Sequence, residues 1–206
     1  MTLNVKVVSV LILTLLTPKF FQTGSETNKS GVLNLISDIQ RSETRYVSEY
    51  QFEKGYEEAI MFIKDHEGYN AGYSYIDVSG IHTIGYGHVL TEGETFNEPI
   101  SQKEAEELLR RDFDKAVRAV ERETELEGYQ KIAIAHFVFA KGIGTFLKSS
   151  LKKRIEQNEP IDDELDRWCY YRSAKTGKLV RSEHSANIRE WEAEMFGRTS
   201  NLTGSL

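Results

Sequence analysis

Midway along the chain a helical spacing gives way, across one glycine, to a strand-like run, and this change of period restricts the fold more than any other feature. From Phe52 to Glu67 the apolar positions Phe52, Tyr56, Ala59, Ile60 and Ile63 recur at intervals that place them on one face of an α-helix. Gly68 follows directly, a residue that commonly closes a helix. Residues 73–88 then turn β-branched and aromatic through Tyr75, Ile76, Val78, Ile81, Thr83, Ile84 and Tyr86, and Ser79-Gly80 separates the two halves, which predicts a hairpin. Beyond it, Ser101-Gln102-Lys103-Glu104 reads as a capping box opening an amphipathic run through Ala105, Leu108, Leu109, Phe113, Ala116, Val117 and Val120. Further helices are expected near 128–140, 145–157, 162–171 and 184–196, so that the reading is helical to the end. One small hairpin followed by a run of helices predicts an α+β fold.

The 206 residues suffice for one buried domain with short appendages, and the three prolines fall nowhere that would divide it. Residues 1–25 read as a signal peptide or a membrane anchor. Lys6 precedes an apolar run from Val7 to Leu16, then Thr17-Pro18, and about ten apolar residues suit a signal core better than a membrane span. Export is therefore expected, with membrane contact through residues 3–21 if the leader is retained. Residues 26–34 are polar and read as a linker, and 35–50 as linker or short helix. The folded domain is expected over 51–198, with 199–206 a flexible tail. The single cysteine, Cys169, excludes an intramolecular disulfide, and its neighbours Trp168 and Tyr170 predict a buried thiol on a packed helix. A net charge of −6 argues against nucleic acid as a partner. An anionic polymer would equally require a local basic patch.

Three residues carry candidate chemistry. Glu67 ends the helix, whereas Asp77 and Thr83 lie on opposite arms of the hairpin, and a fold about Ser79-Gly80 brings both to one side of the ribbon. A cleft between helix end and hairpin would hold two carboxyls and a hydroxyl. Glycoside hydrolysis requires that set: one carboxylic acid protonates the leaving oxygen, a carboxylate acts across the scissile bond, and a hydroxyl aligns water. A semi-apolar wall of Tyr69 and Tyr86 would favour the protonated acid. Against this stand plainer readings: a solvated charge for Glu67, a turn former for Asp77 and strand propensity for Thr83. His66, His82 and His88 do not form the His-Glu-x-x-His spacing of a zinc site, so no metal is expected and His88 is assigned to fixing the loop after the hairpin. Gly142-Ile143-Gly144 lacks the P-loop form, and no cofactor is expected.

The string of helix, Glu67-Gly68, hairpin and Thr83-Ile84-Gly85-Tyr86-Gly87-His88 resembles the phage-type lysozymes, or endolysins, of glycoside hydrolase family 24. The likeness runs on through Ser101–Leu109 and Phe137–Gly142 to Arg189–Phe196, spanning about residues 52–198. It implies a lysozyme-like fold with the cleft between a small hairpin lobe and a mostly helical lobe. It also implies Glu67, Asp77 and Thr83 as the catalytic set, with Tyr86 and His88 supporting, and Arg189 as the nearest candidate for the arginine that braces the glutamate. The chain departs from the family at three places. The interval from Glu67 to Asp77 is one residue longer than usual, which puts an insertion in Tyr69–Ser74. Ala140 stands where an amide is usual, and Tyr171–His184, rich in Arg and Lys, lacks the usual Pro-Gly-Leu form.

The resulting expectation is an exported, monomeric muramidase. It would cleave the β-1,4 bond between N-acetylmuramic acid and N-acetylglucosamine in peptidoglycan glycan strands, with inversion and without cofactor. The alternatives are a lytic transglycosylase and a peptidoglycan-binding protein that has lost activity.

Overall fold

The computed structural model describes residues 26–76 and 80–198. The expected leader, residues Asp77 to Ser79 and the expected tail lie outside the described residues. The chain divides into two compact units, Met1–Tyr50 and Gln51–Leu206.

In the first unit, residues 26–50 are neither linker nor short helix. They belong to a helix, α1, that runs from Glu26 to Glu67. No proline interrupts this stretch, and its side chains support the turn: Arg45 pairs with Glu49 at 2.8 Å, and the Ser37 and Ser42 hydroxyls donate to carbonyls three residues back. Leu33, Leu35, Tyr46 and Tyr50 are exposed. None of the described helices is long and apolar enough to cross a membrane.

In the second unit, α1 from Gln51 buries Ala59, Ile60 and Ile63, the stripe its spacing predicts. The chain then forms a small antiparallel sheet of β1 (Tyr75–Ile76), β2 (His82–Ile84) and β3 (His88–Val89). Tyr75 faces Thr83 across the expected hairpin, and Thr83 faces Val89 on the other side. The third strand was not expected; Gly85 and Gly87 bend the chain back on itself within four residues of the second.

Helix α2 (Gln102–Glu123) opens on the expected capping box, in which the Ser101 hydroxyl accepts from the Glu104 amide at 3.2 Å and the Glu104 carboxylate accepts from the Ser101 amide at 2.7 Å. Its predicted apolar run is buried throughout. It packs on α3 (Gly128–Lys141), which is buried on nearly every side from Ile132 to Val138 and so forms the centre of the helical lobe. Phe113, Phe137 and Phe146 are fully enclosed here, each worth about 2–3 kcal/mol of apolar burial.

The expected helix over 145–157 is instead α4 (Ile143–Lys148) and α5 (Ser150–Glu156). Ser149 adopts extended backbone between them, and its hydroxyl caps the second by accepting from the Lys152 amide. A second correction concerns 162–171. Only α6 (Asp162–Asp166) is α-helical there; a 3-10 turn, Arg167–Cys169, buries Cys169, and the chain continues into an unexpected hairpin of β4 (Tyr170–Arg172) and β5 (Leu179–Arg181). Both strands are exposed on both faces, so no alternation of apolar and polar residues marked them. Helix α7 (Glu183–Gly197), capped by Ser182, closes the lobe against α3.

Candidate active site

Glu67 is the last residue of α1 and is exposed. Its carboxylate meets the loop between β2 and β3 at Gly87. A methyl group added there would lie 3.6 Å from Glu67 Oε2 and 3.8 Å from its Cδ, and Gly87 has φ +88°. The glutamate thus faces backbone at that point, and glycine both permits the left-handed turn and keeps the carboxylate uncovered. Helix end and hairpin loop are brought together as the Glu67-Gly68 and Gly85-Tyr86-Gly87 strings predict.

Tyr86 is buried beside Glu67's helix. Its ring lies 5.8 Å from that of Tyr69, and the Lys64 ammonium stands 5.6 Å over it, held by Glu106 on α2 at 2.5 Å. The two tyrosine rings are therefore neighbours. Glu106 and Lys64 hold each other charged: the lysine lowers the carboxyl's pKa and the carboxylate raises the ammonium's. Thr83 is buried on β2, and its hydroxyl, which can also accept, donates to the Ile81 carbonyl at 3.2 Å.

His88 is buried as β3 begins. Its Nδ1 lies 2.5 Å from Asp112 Oδ2 on α2, and its Nε2 lies 3.1 Å from Glu94 Oε2. It ties the sheet to α2 and to the following loop. The Thr91 amide, His88 and the Thr91 hydroxyl together hold the Glu94 carboxyl down to about 2.

The segment Tyr69–Ser74, where an insertion is expected, is closed on the loop before α2. The Tyr69 hydroxyl donates to the Ile100 carbonyl and the Ile100 amide donates to Gly72 at 2.9 Å. Both the amide and hydroxyl of Ser74 donate to the Glu98 carboxylate. Asp77, the expected second carboxylate, lies outside the described residues.

Arg189 sits elsewhere than expected. No ion pair joins it to Glu67; its guanidinium is 3% exposed, 3.0 Å from Glu192 and 5.0 Å from the centre of the Phe137 ring. Burial pulls its pKa below the usual arginine value, with Glu192 opposing. Glu192, fully buried, also lies 2.6 Å from His136 Nδ1 on α3. This buried trio was not singled out from the sequence; the only signal is the three-residue spacing of Arg189 and Glu192 on one helix. The face of α7 bearing Trp191 and His184 supports the end of α1: Trp191 stacks on Phe62 at 4.3 Å, and His184 lies 5.6 Å from His66, the residue before Glu67. A cleft of about 710 Å3 opens by the other face of α7, lined by Asp166, Cys169, Arg181, Arg189 and Glu194 among others, and does not include Glu67.

Residues 64–185 match the family model described as phage lysozyme. The SAR-endolysin of Escherichia phage Mu is 31% identical over 100 residues, a match covering 47% of this chain and 57% of that protein, so the chain spans little over half the length of this curated relative. Among solved structures, the endolysin from Escherichia coli O157:H7 phage FAHEc1 is 26% identical with a TM-score of 0.57, covering 68% of this chain and 90% of that one. The muramidase domain of SpmX from Asticaccaulis excentricus has a TM-score of 0.60 at 23% identity, covering 68% of this chain and 95% of that one, and speaks for the fold. The helical lobe beside a small antiparallel sheet is thus the lysozyme-like α+β arrangement that the sequence predicts.

Proposed function

Because this chain belongs to the phage lysozyme family, we propose that it is an exported peptidoglycan hydrolase whose proton donor is Glu67. The observation that carries the reading is the approach of the Glu67 carboxyl to the Gly87 backbone, which leaves an exposed acid at the junction of helix and hairpin where a glycan strand can lie. In the proposed reaction the Glu67 carboxylic acid gives its proton to the glycosidic oxygen as the bond to the anomeric carbon breaks. Water adds to that carbon from the opposite face and loses a proton to Asp77, giving a free reducing end with inverted configuration. Thr83 accepts a hydrogen bond from the attacking water and so aligns it; the lone pairs of its buried hydroxyl support that assignment. The bond cleaved is the β-1,4 link between N-acetylmuramic acid and N-acetylglucosamine. His88 acts by holding the sheet to α2.

The Glu67→Gln variant tests the reading. It is expected to fold normally and to lose clearing of a suspension of purified cell walls, because an amide cannot donate that proton. Wall clearing near the parent rate would overturn the assignment. Mass spectrometry of the parent's products separates hydrolysis from transglycosylation, since the anhydro product of the latter is lighter by one water.

A further inference from the structure

We propose that the hairpin of β4 and β5 is an anion-binding arm that holds the carboxylates of a peptidoglycan strand beside Glu67, an inference that rests on the hydrolase reading above. Between Asp166 and Glu183 the chain has no acidic residue but carries Arg167, Arg172, Lys175, Lys178 and Arg181, although the whole protein is acidic at −6. The two arginines at the base are already engaged. Arg167 lies 3.1 Å from Glu164, and Arg181 lies 3.2 Å from Asp166 and 3.3 Å from Glu183. The three cations further out face no carboxylate among the described residues; Arg172 donates to the Gly177 carbonyl at 2.6 Å, which closes the turn and leaves its charge uncompensated.

The register sorts the ribbon into two faces. Tyr171 and Val180 lie on one, whereas Tyr170, Arg172, Leu179 and Arg181 lie on the other. All six are exposed, Tyr171 at 54% and Leu179 at 64%. A ribbon with uncovered aromatic and apolar side chains beside free cations suits a polymer that alternates sugar faces with carboxylates. Peptidoglycan has that chemistry, with its carboxylates on the stem peptides attached to each muramic acid. The position agrees. Arg181 runs through Ser182 directly into α7, whose first-turn residue His184 packs 5.6 Å from His66, next to Glu67. The hairpin therefore leaves the fold at the end that carries the acid, and it supplies the local basic patch that an acidic enzyme needs on an anionic wall. That position favours the wall strand over a lipid surface as the occupant.

The test uses the full chain carrying Glu67→Gln, which binds without cutting, sedimented with purified peptidoglycan sacculi. Adding Lys175→Glu and Lys178→Glu is expected to weaken binding about tenfold at low salt, with the difference shrinking as salt rises. Restoring charge with Lys175→Arg and Lys178→Arg recovers the affinity. Amidating the sacculus carboxylates weakens the Glu67→Gln chain similarly and affects the charge-reversed chain little, an arm that leaves the hairpin unaltered. Unchanged affinity after charge reversal would overturn the proposal. So would a loss confined to vesicles of phosphatidylglycerol with sacculus binding intact, which would assign the hairpin to a membrane surface. Wall clearing by Glu67→Gln overturns the assignment of Glu67 alone, and a parent chain that binds sacculi without clearing walls overturns the hydrolase reading alone, so these failures are distinct from that of the hairpin.

Discussion

Glu192 Oε1 lies 2.6 Å from His136 Nδ1 and joins α7 to α3 across 56 positions of sequence. The same carboxylate oxygen is 3.0 Å from Arg189, and all three side chains are buried. Among the described residues Arg189 Nε and Nη1 and Glu192 Oε2 have no hydrogen-bond partner, and Glu192 is the carboxylate that faces the arginine's charge. The trio anchors the helix that supports the end of α1 through Trp191 and His184, and His136 itself lies 4.9 Å from the Trp191 ring.

Replacing Glu192 by alanine leaves a buried cation without its counter-charge and is expected to cost about 3–5 kcal/mol. Urea unfolding followed by circular dichroism measures it. The double variant Arg189→Met/Glu192→Met removes both charges and is expected to lose less than Glu192→Ala alone. A double variant less stable than the single would contradict this account of the pair.

Acid is expected to weaken the fold through Glu94. Its folded pKa, about 2, lies below the ordinary 4.5, so the unfolded chain binds the proton first. The stabilisation is complete above the ordinary value and disappears as pH falls from there toward about 2. Unfolding midpoints across that window should fall less steeply in Glu94→Gln than in the parent. Parallel profiles would remove Glu94 as the cause.

Gly87→Ala should lose wall-clearing activity beyond what its stability explains. A side chain at φ +88° costs about 1–2 kcal/mol, and the new methyl would stand against the Glu67 carboxylate. Gly93→Ala is the comparison, since Gly93 has φ +80° with open space around it and shares the strain alone. Equal activity in the two variants would separate Gly87 from the acid's function.

Tyr69→Phe removes the hydroxyl that bonds to the Ile100 carbonyl and should cost about 1 kcal/mol. Because Tyr69–Ser74 leads directly into β1, a looser segment should lower activity further than that figure implies. Thermal melting and wall clearing measured on the same preparation separate the two effects. Full activity with lowered stability would show that the segment does not position the hairpin.

Much of the fold was legible because its signals are local. The stripe ending at Ile63, the Ser101–Glu104 capping box and the Tyr75–Thr83 hairpin each depend on residues close in sequence. The approach of Glu67 to Gly87 was likewise marked by the motif on either side of it. The β4–β5 hairpin escaped because neither face is buried, so burial imposed no alternation on its residues. The break at Ser149 escaped because an extended serine that caps a new helix resembles a serine within one.

The sequence by itself therefore determined the helix end that carries Glu67, the hairpin beside it and the period of the helices that follow. Only the tertiary structure decided that Arg189 pairs with Glu192, and that residues 170–181 form a basic hairpin leading into α7. The reason is physical. Periodicity and capping act within a turn or two of chain, whereas the partner of a buried charge is chosen by which distant elements exclude water around it.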